Sequence, residues 1–162
     1  MALYGDKVYL ATYDAALVAL DARTGTEVWR TVKADYTQGF TQRGGPIIAN
    51  GVVVSGINGC QRYKEQTCFN TGHDPDTGEE FWTYDAFAAV WGSPFVVDGK
   101  VLLGDEDGDI AVLRAGKEME LLGEYNLGAA VYCTPVAKDG VLYVLTRNRI
   151  WALQEGAQSD PL

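Results

Sequence analysis

The chain has 162 residues, 47% hydrophobic and 11% aromatic, enough to bury a sizeable core and too apolar for a disordered segment. Thirteen Lys and Arg against 22 Asp and Glu give a formal charge of −9, which repels nucleic acid and an anionic membrane surface. No apolar run approaches the roughly 18–20 residues of a transmembrane segment, and no secretory leader is legible at the N-terminus.

In chain order the sequence predicts short antiparallel strands and no helix of useful length. Ala2-Leu3-Tyr4 is a clipped first strand. Val8–Thr12 and Leu17–Asp21 alternate as half-buried strands do, and Asp21-Ala22-Arg23-Thr24-Gly25 turns the chain into a run that ends on Trp29. The same sentence returns as His73-Asp74-Pro75-Asp76-Thr77-Gly78-Glu79-Glu80-Phe81-Trp82. Further copies pair Val101-Leu102-Leu103 with Ile110–Leu113 and Leu142-Tyr143-Val144 with Ile150–Leu153. Ahead of the last three hairpins stand Pro46, Pro94 and Pro135, each opening a short apolar run that turns at Asn50-Gly51, Asp98-Gly99 or Asp139-Gly140. Four short strands per unit of about 40 residues is the pattern of a β-propeller blade. The expected fold is therefore all-β: four blades at 1–34, 45–85, 93–126 and 134–153, the last one unfinished, with a polar tail at 154–162. Such an open array leaves apolar blade faces, so further blades or self-association are expected to complete a ring.

Three cysteines are present, too few and too scattered for a zinc site. Cys60 and Cys68 bracket a polar loop; they are either a disulfide, which would imply an oxidising compartment, or two thiols. The tryptophans at 29, 82 and 151 read as packing between blades, whereas Trp91, just before a first strand, is placed to face a central channel. His73 stands where its repeats carry Leu20 and Leu153, and so reads as an inward structural histidine. Asp21 and Asp74 read as turn-forming carboxylates. Gly104–Asp109 resembles a calcium loop in charge alone, lacks the closing glutamate, and reads as a solvated acidic turn. Arg43-Gly44-Gly45 offers a guanidinium and exposed amides to an anion, or a bend at a blade edge.

The motif Ala19-Leu20-Asp21-Ala22-x-Thr24-Gly25-x-x-x-Trp29 resembles the pyrroloquinoline-quinone (PQQ) repeat, and residues 3–82 resemble early blades of quinoprotein alcohol dehydrogenases. That resemblance implies an eight-bladed, periplasmic oxidoreductase that oxidises alcohols or sugars with a quinone and a calcium ion near the central axis. It places Asn58 and Gly59 on a cofactor-binding Ser-Gly pair and Gln61 near a calcium-ligating glutamate. Gln61 lacks the charge a hard cation prefers. Arg43 stands where the family has a threonine, and Cys60 and Cys68 are not the family's adjacent pair. The resemblance thus leaves two expectations: part of a quinoprotein dehydrogenase without a complete active site, or a non-catalytic propeller scaffold for protein assembly.

Overall fold

The computed structural model describes residues 1–60 and 68–157 and is built from fifteen strands in four antiparallel sheets. Blade one comprises β1 (Ala2–Tyr4), β2 (Lys7–Ala11), β3 (Ala16–Asp21) and β4 (Glu27–Val32). Blade two comprises β5 (Ile47–Ala49), β6 (Val52–Gly56), β7 (Phe69–His73) and β8 (Glu80–Asp85). Blade three comprises β9 (Phe95–Val97), β10 (Lys100–Gly104), β11 (Asp109–Arg114) and β12 (Leu121–Asn126). Blade four has three strands, β13 (Val136–Lys138), β14 (Val141–Leu145) and β15 (Ile150–Leu153). Among the described residues the sole helical element is one 3₁₀ turn, Tyr36–Gln38, closed by the Asp35 carboxylate on the Thr37 N–H and by Gly39. It lies in a connection, where the strand pattern was silent.

The hairpin signals are realised in detail. Asn50-Gly51, Asp98-Gly99 and Asp139-Gly140 carry positive φ at both residues, the geometry whose twist matches a right-handed ribbon. Each of the three prolines sits one residue ahead of its first strand, outside the ladder. The first strands of successive blades touch, β1 against β5 and β5 against β9, so they line the common axis and the fourth strands lie outermost. Blades one, two and three share a register shift at Ala19/Leu20, Gly72/His73 and Val112/Leu113. That shift sets residues 29, 82 and 123 opposite residues 19, 72 and 112.

The core lies in the seams between blades. Tyr9, Leu17, Ala19 and Trp29 pack on Val53 in the first seam. Val52, Val54, Trp82 and Tyr84 pack on Val101, Leu103 and Leu113 in the second. Leu102, Ile110 and Val131 pack on Val144 in the third, with Leu142 and Trp151 half-buried against them. The Trp29 indole donates to the Pro75 carbonyl at 3.0 Å and the Tyr9 hydroxyl donates to the same oxygen at 3.0 Å. Thr31 donates to the Gly78 carbonyl at 2.8 Å, and Lys7 pairs with Asp76 at 3.0 Å. Trp82 repeats the indole contact one blade on, donating to the Gly116 carbonyl at 3.1 Å. Trp29 and Trp82 are therefore satisfied at their N–H groups while their rings are covered by the next blade. Asp21 and Asp74 form the expected turns, their carboxylates accepting from residues 23 and 24, and 76 and 77.

Candidate functional site

The loops that precede the first strands of blades two, three and four converge at one end of the axis. Thr41 and Asn58 exchange backbone hydrogen bonds at 2.9 and 2.8 Å, Gly45 donates to the Ser93 hydroxyl at 2.8 Å, and the Ser93 N–H donates to Thr134 at 3.0 Å. Three residues before each proline stand Arg43, Trp91 and Tyr132. The Arg43 guanidinium lies 5.3 Å from the centre of the Trp91 ring, a cation–π contact. Trp91 donates its indole N–H to one oxygen of Glu106 at 3.2 Å, and Tyr132 donates its hydroxyl to the other at 3.3 Å. Arg43 is exposed and has no carboxylate in ion-pair reach among the described residues.

Asn58 is 2% exposed, and its side-chain amide donates to the Val90 carbonyl, tying the loop of blade two to that of blade three. Gly59 has φ +96°, and a Cβ there would overlap the Gly39 carbonyl. Gln61 lies outside the described residues. Cys60 and Cys68 are joined in a disulfide, which decides between the two readings of that pair, and Cys133 is an exposed free thiol. The glycines beside Arg43 serve close packing: a Cβ at Gly44 would come within 2.8 Å of the Gly92 carbonyl oxygen, and the Gly45 amide is spent on Ser93.

Behind the mouth a polar line runs between blades one and two. Gln42, 4% exposed, accepts from the Ser55 hydroxyl at 2.6 Å, while its own Nε2 has no partner. Lys33 donates to the Ser55 and Gly56 carbonyls at 2.7 and 3.3 Å beneath the Phe69 ring. His73 is fully buried: Nδ1 is 3.1 Å from the Gly78 carbonyl and Nε2 is 2.8 Å from the Thr71 hydroxyl. A carbonyl only accepts, so Nδ1 carries the proton and Nε2 accepts from Thr71. Burial lowers the imidazole pKa, consistent with this neutral form. His73 is thus the structural histidine that the repeat alignment expects.

Burial also pushes the Lys33 ammonium down from 10.5 to about 7, against the smaller opposing pull of Glu80. An amine protonated more readily in the unfolded chain makes the fold gain stability as pH rises from about 7 toward 10.5. Urea midpoints measured between pH 7 and 9.5 will therefore rise in the unaltered chain. In Lys33→Met that rise will be lost.

The acidic stretch Gly104–Asp109 departs from the expected solvated turn. Asp105 is 6% exposed, and one of its oxygens accepts from the N–H groups of Asp107, Gly108 and Asp109 at 2.9–3.0 Å. Burial raises its pKa against those three bonds, and only Asp107 projects freely. Among the described residues no three His, Cys, Asp or Glu side chains are grouped to hold a metal ion.

Tyr132 was open to detection from the repeat, since it shares its offset from proline with Trp91. Lys33, Gln42 and Glu106 gave no sequence signal, because each acts through partners more than ten residues away in the chain.

The comparisons with known proteins agree with this geometry. A family model described as outer membrane protein assembly factor BamB matches residues 1–63. The 1-butanol dehydrogenase (quinone) of Thauera butanivorans is 41% identical over 87 residues, half of this chain, and the quinoprotein ethanol dehydrogenase of Pseudomonas aeruginosa is 40% identical over 87. In its repeats and its blades the array resembles the PQQ-repeat propellers. The array spans 14% of the length of each of those two dehydrogenases. Among solved structures, the quinohemoprotein alcohol dehydrogenase of Comamonas testosteroni superposes at a TM-score of 0.77 over 94% of the array and 32% of that chain, at 17% identity. BamB of Moraxella catarrhalis superposes at 0.74 over 93% of the array and 43% of that chain, at 22% identity. The array thus shares its blade fold with a quinohemoprotein alcohol dehydrogenase and with BamB.

Proposed function

We propose that the array supplies four blades of a quinoprotein dehydrogenase-type propeller, acting on an alcohol or sugar in an extracytoplasmic compartment. The observation that carries this reading is the 41% identity with a quinone-dependent alcohol dehydrogenase across half of the chain. The Cys60–Cys68 disulfide supports the oxidising compartment. No helix among the described residues is long and apolar enough to cross a membrane.

The axial mouth fits a planar anion: Arg43 has no ion pair among the described residues and is laid on Trp91, and the neighbouring Gln42 Nε2 lacks an acceptor. Pyrroloquinoline quinone is such an anion, and when bound it supplies the two-electron acceptor for alcohol oxidation. Arg43 would hold one of its carboxylates and Trp91 one wall of its ring. Asn58 and Gly59 would act beneath them, holding the loops at their spacing. Calcium fits less well, since the described residues offer no cluster of acidic ligands and Gln61 contributes no charge. The array therefore binds quinone without completing the catalytic set.

Titrating pyrroloquinoline quinone into the chain, with and without calcium, tests this through tryptophan fluorescence. Saturable quenching that calcium leaves unchanged is expected, weakened about tenfold by Arg43→Ala. An absence of quenching would favour a second reading, a non-catalytic scaffold for protein assembly. That reading has its own support in the match of residues 1–63 to the BamB model.

A further inference from the structure

The three seams are built alike but not filled alike. In the first, blade one gives Trp29, Tyr9 and Lys7 to a turn of blade two that answers with Pro75, Gly78 and Asp76. Repeat register gives the counterparts in the third seam. Gly123 stands opposite Val112 as Trp29 stands opposite Ala19, Leu102 replaces Tyr9, and Lys100 matches Lys7. On the receiving side Gly156 stands for Asp76. The third seam has thus lost its indole and the carboxylate that answered the lysine, while the lysine is kept.

What remains is a cleft of about 510 Å³ between blades three and four, lined by Leu102, Val112, Leu142 and Leu153 with Lys100 and Lys138 at its rim. Neither lysine has an ion pair among the described residues. Asp98 and Asp139, at positive-φ turn positions, also border the cleft, and Lys100 donates to the Asp98 carbonyl at 3.3 Å. The atoms nearest a Cβ at Gly123 would be those of the Tyr125 ring and hydroxyl, at 2.8–3.0 Å, and Tyr125 is an exposed side chain. In the apolar cluster shared with Leu102, Val112 and Leu142, Trp151 keeps a buried N–H with no acceptor.

We propose that this cleft binds a small aromatic carboxylic acid, its ring against Leu102, Val112 and Leu142 and its carboxylate at Lys100 and Lys138. One such molecule restores both missing elements together. Apolar area supplies the affinity and the lysines the orientation. The site shares no residue with the Arg43–Trp91 mouth, so its fate is independent of the quinone reading.

Indole-3-acetate titrated into the full chain, followed by NMR, is the test. Saturable shifts at Leu102, Val112, Leu142 and Leu153 are expected. Gly123→Trp, which puts the chain's own indole in the cleft, will weaken binding at least about tenfold, and Lys100→Met by about threefold or more. Lys100 is exposed, so its replacement keeps the test informative even where Gly123→Trp fails to fold. No saturable response in the unaltered chain, or equal binding in both variants, overturns the proposal.

Discussion

Replacing Trp29 by alanine will lower the unfolding free energy by about 3–5 kcal/mol, the range for removing a large buried aromatic. The indole is 9% exposed, packs 5.9 Å from the Tyr9 ring centre, and fills the space left by Gly78 in the next blade. A Cβ on Gly78 would come 2.6 Å from that ring, so no side chain is at hand to close the void. Truncation also leaves the Pro75 carbonyl with Tyr9 as its remaining side-chain donor. Urea unfolding followed by circular dichroism gives the answer. A loss below about 1 kcal/mol would mean that the seam collapses around the gap and that the ring is not what holds the blades together.

Alanine at Gly59 will cost about 2–4 kcal/mol, through a backbone conformation that L residues rarely adopt and a collision with Gly39. Gly39 ends the 3₁₀ turn with φ +97°, so two glycine backbones pass against each other where the connection from blade one meets the loop of blade two. Were Gly59 needed only to let a cofactor approach, Gly59→Ala would keep its stability and lose quinone quenching alone. A thermal or urea midpoint separates the two cases. An unchanged midpoint would show that the loop yields.

The fold was largely written in the sequence, for local reasons. Asn-Gly and Asp-Gly specify their turns without tertiary help, alternation specifies which face of a strand is buried, and recurrence of the Asp-x-x-Thr-Gly turn sets blade register. The axial mouth was legible only in part. Trp91 and Arg43 were placed by their offset from proline, but that one lies on the other is a contact between blades two and three, and no local pattern encodes it. Asn58 and Gly59 illustrate the converse. Their positions in the repeat were readable, whereas the demand the fold makes on them comes from Val90 and Gly39, distant in sequence. The burial of Asp105 was missed because a turn of acidic residues resembles a solvated one until its backbone N–H groups are seen to point inward.

The contacts of the first two seams have a direction: Trp29 and Trp82 are given by the earlier blade and received by the turn of the later one. Head-to-tail geometry of this kind excludes a back-to-back pairing of like faces through these contacts. Any neighbour joined by them, whether more chain or a second molecule, must follow by rotation about the axis that β1, β5 and β9 already define. The free turn at Asp21–Gly25, whose glycine has no neighbouring atom within 4 Å of its Cβ position, is where such a neighbour would deliver its ring.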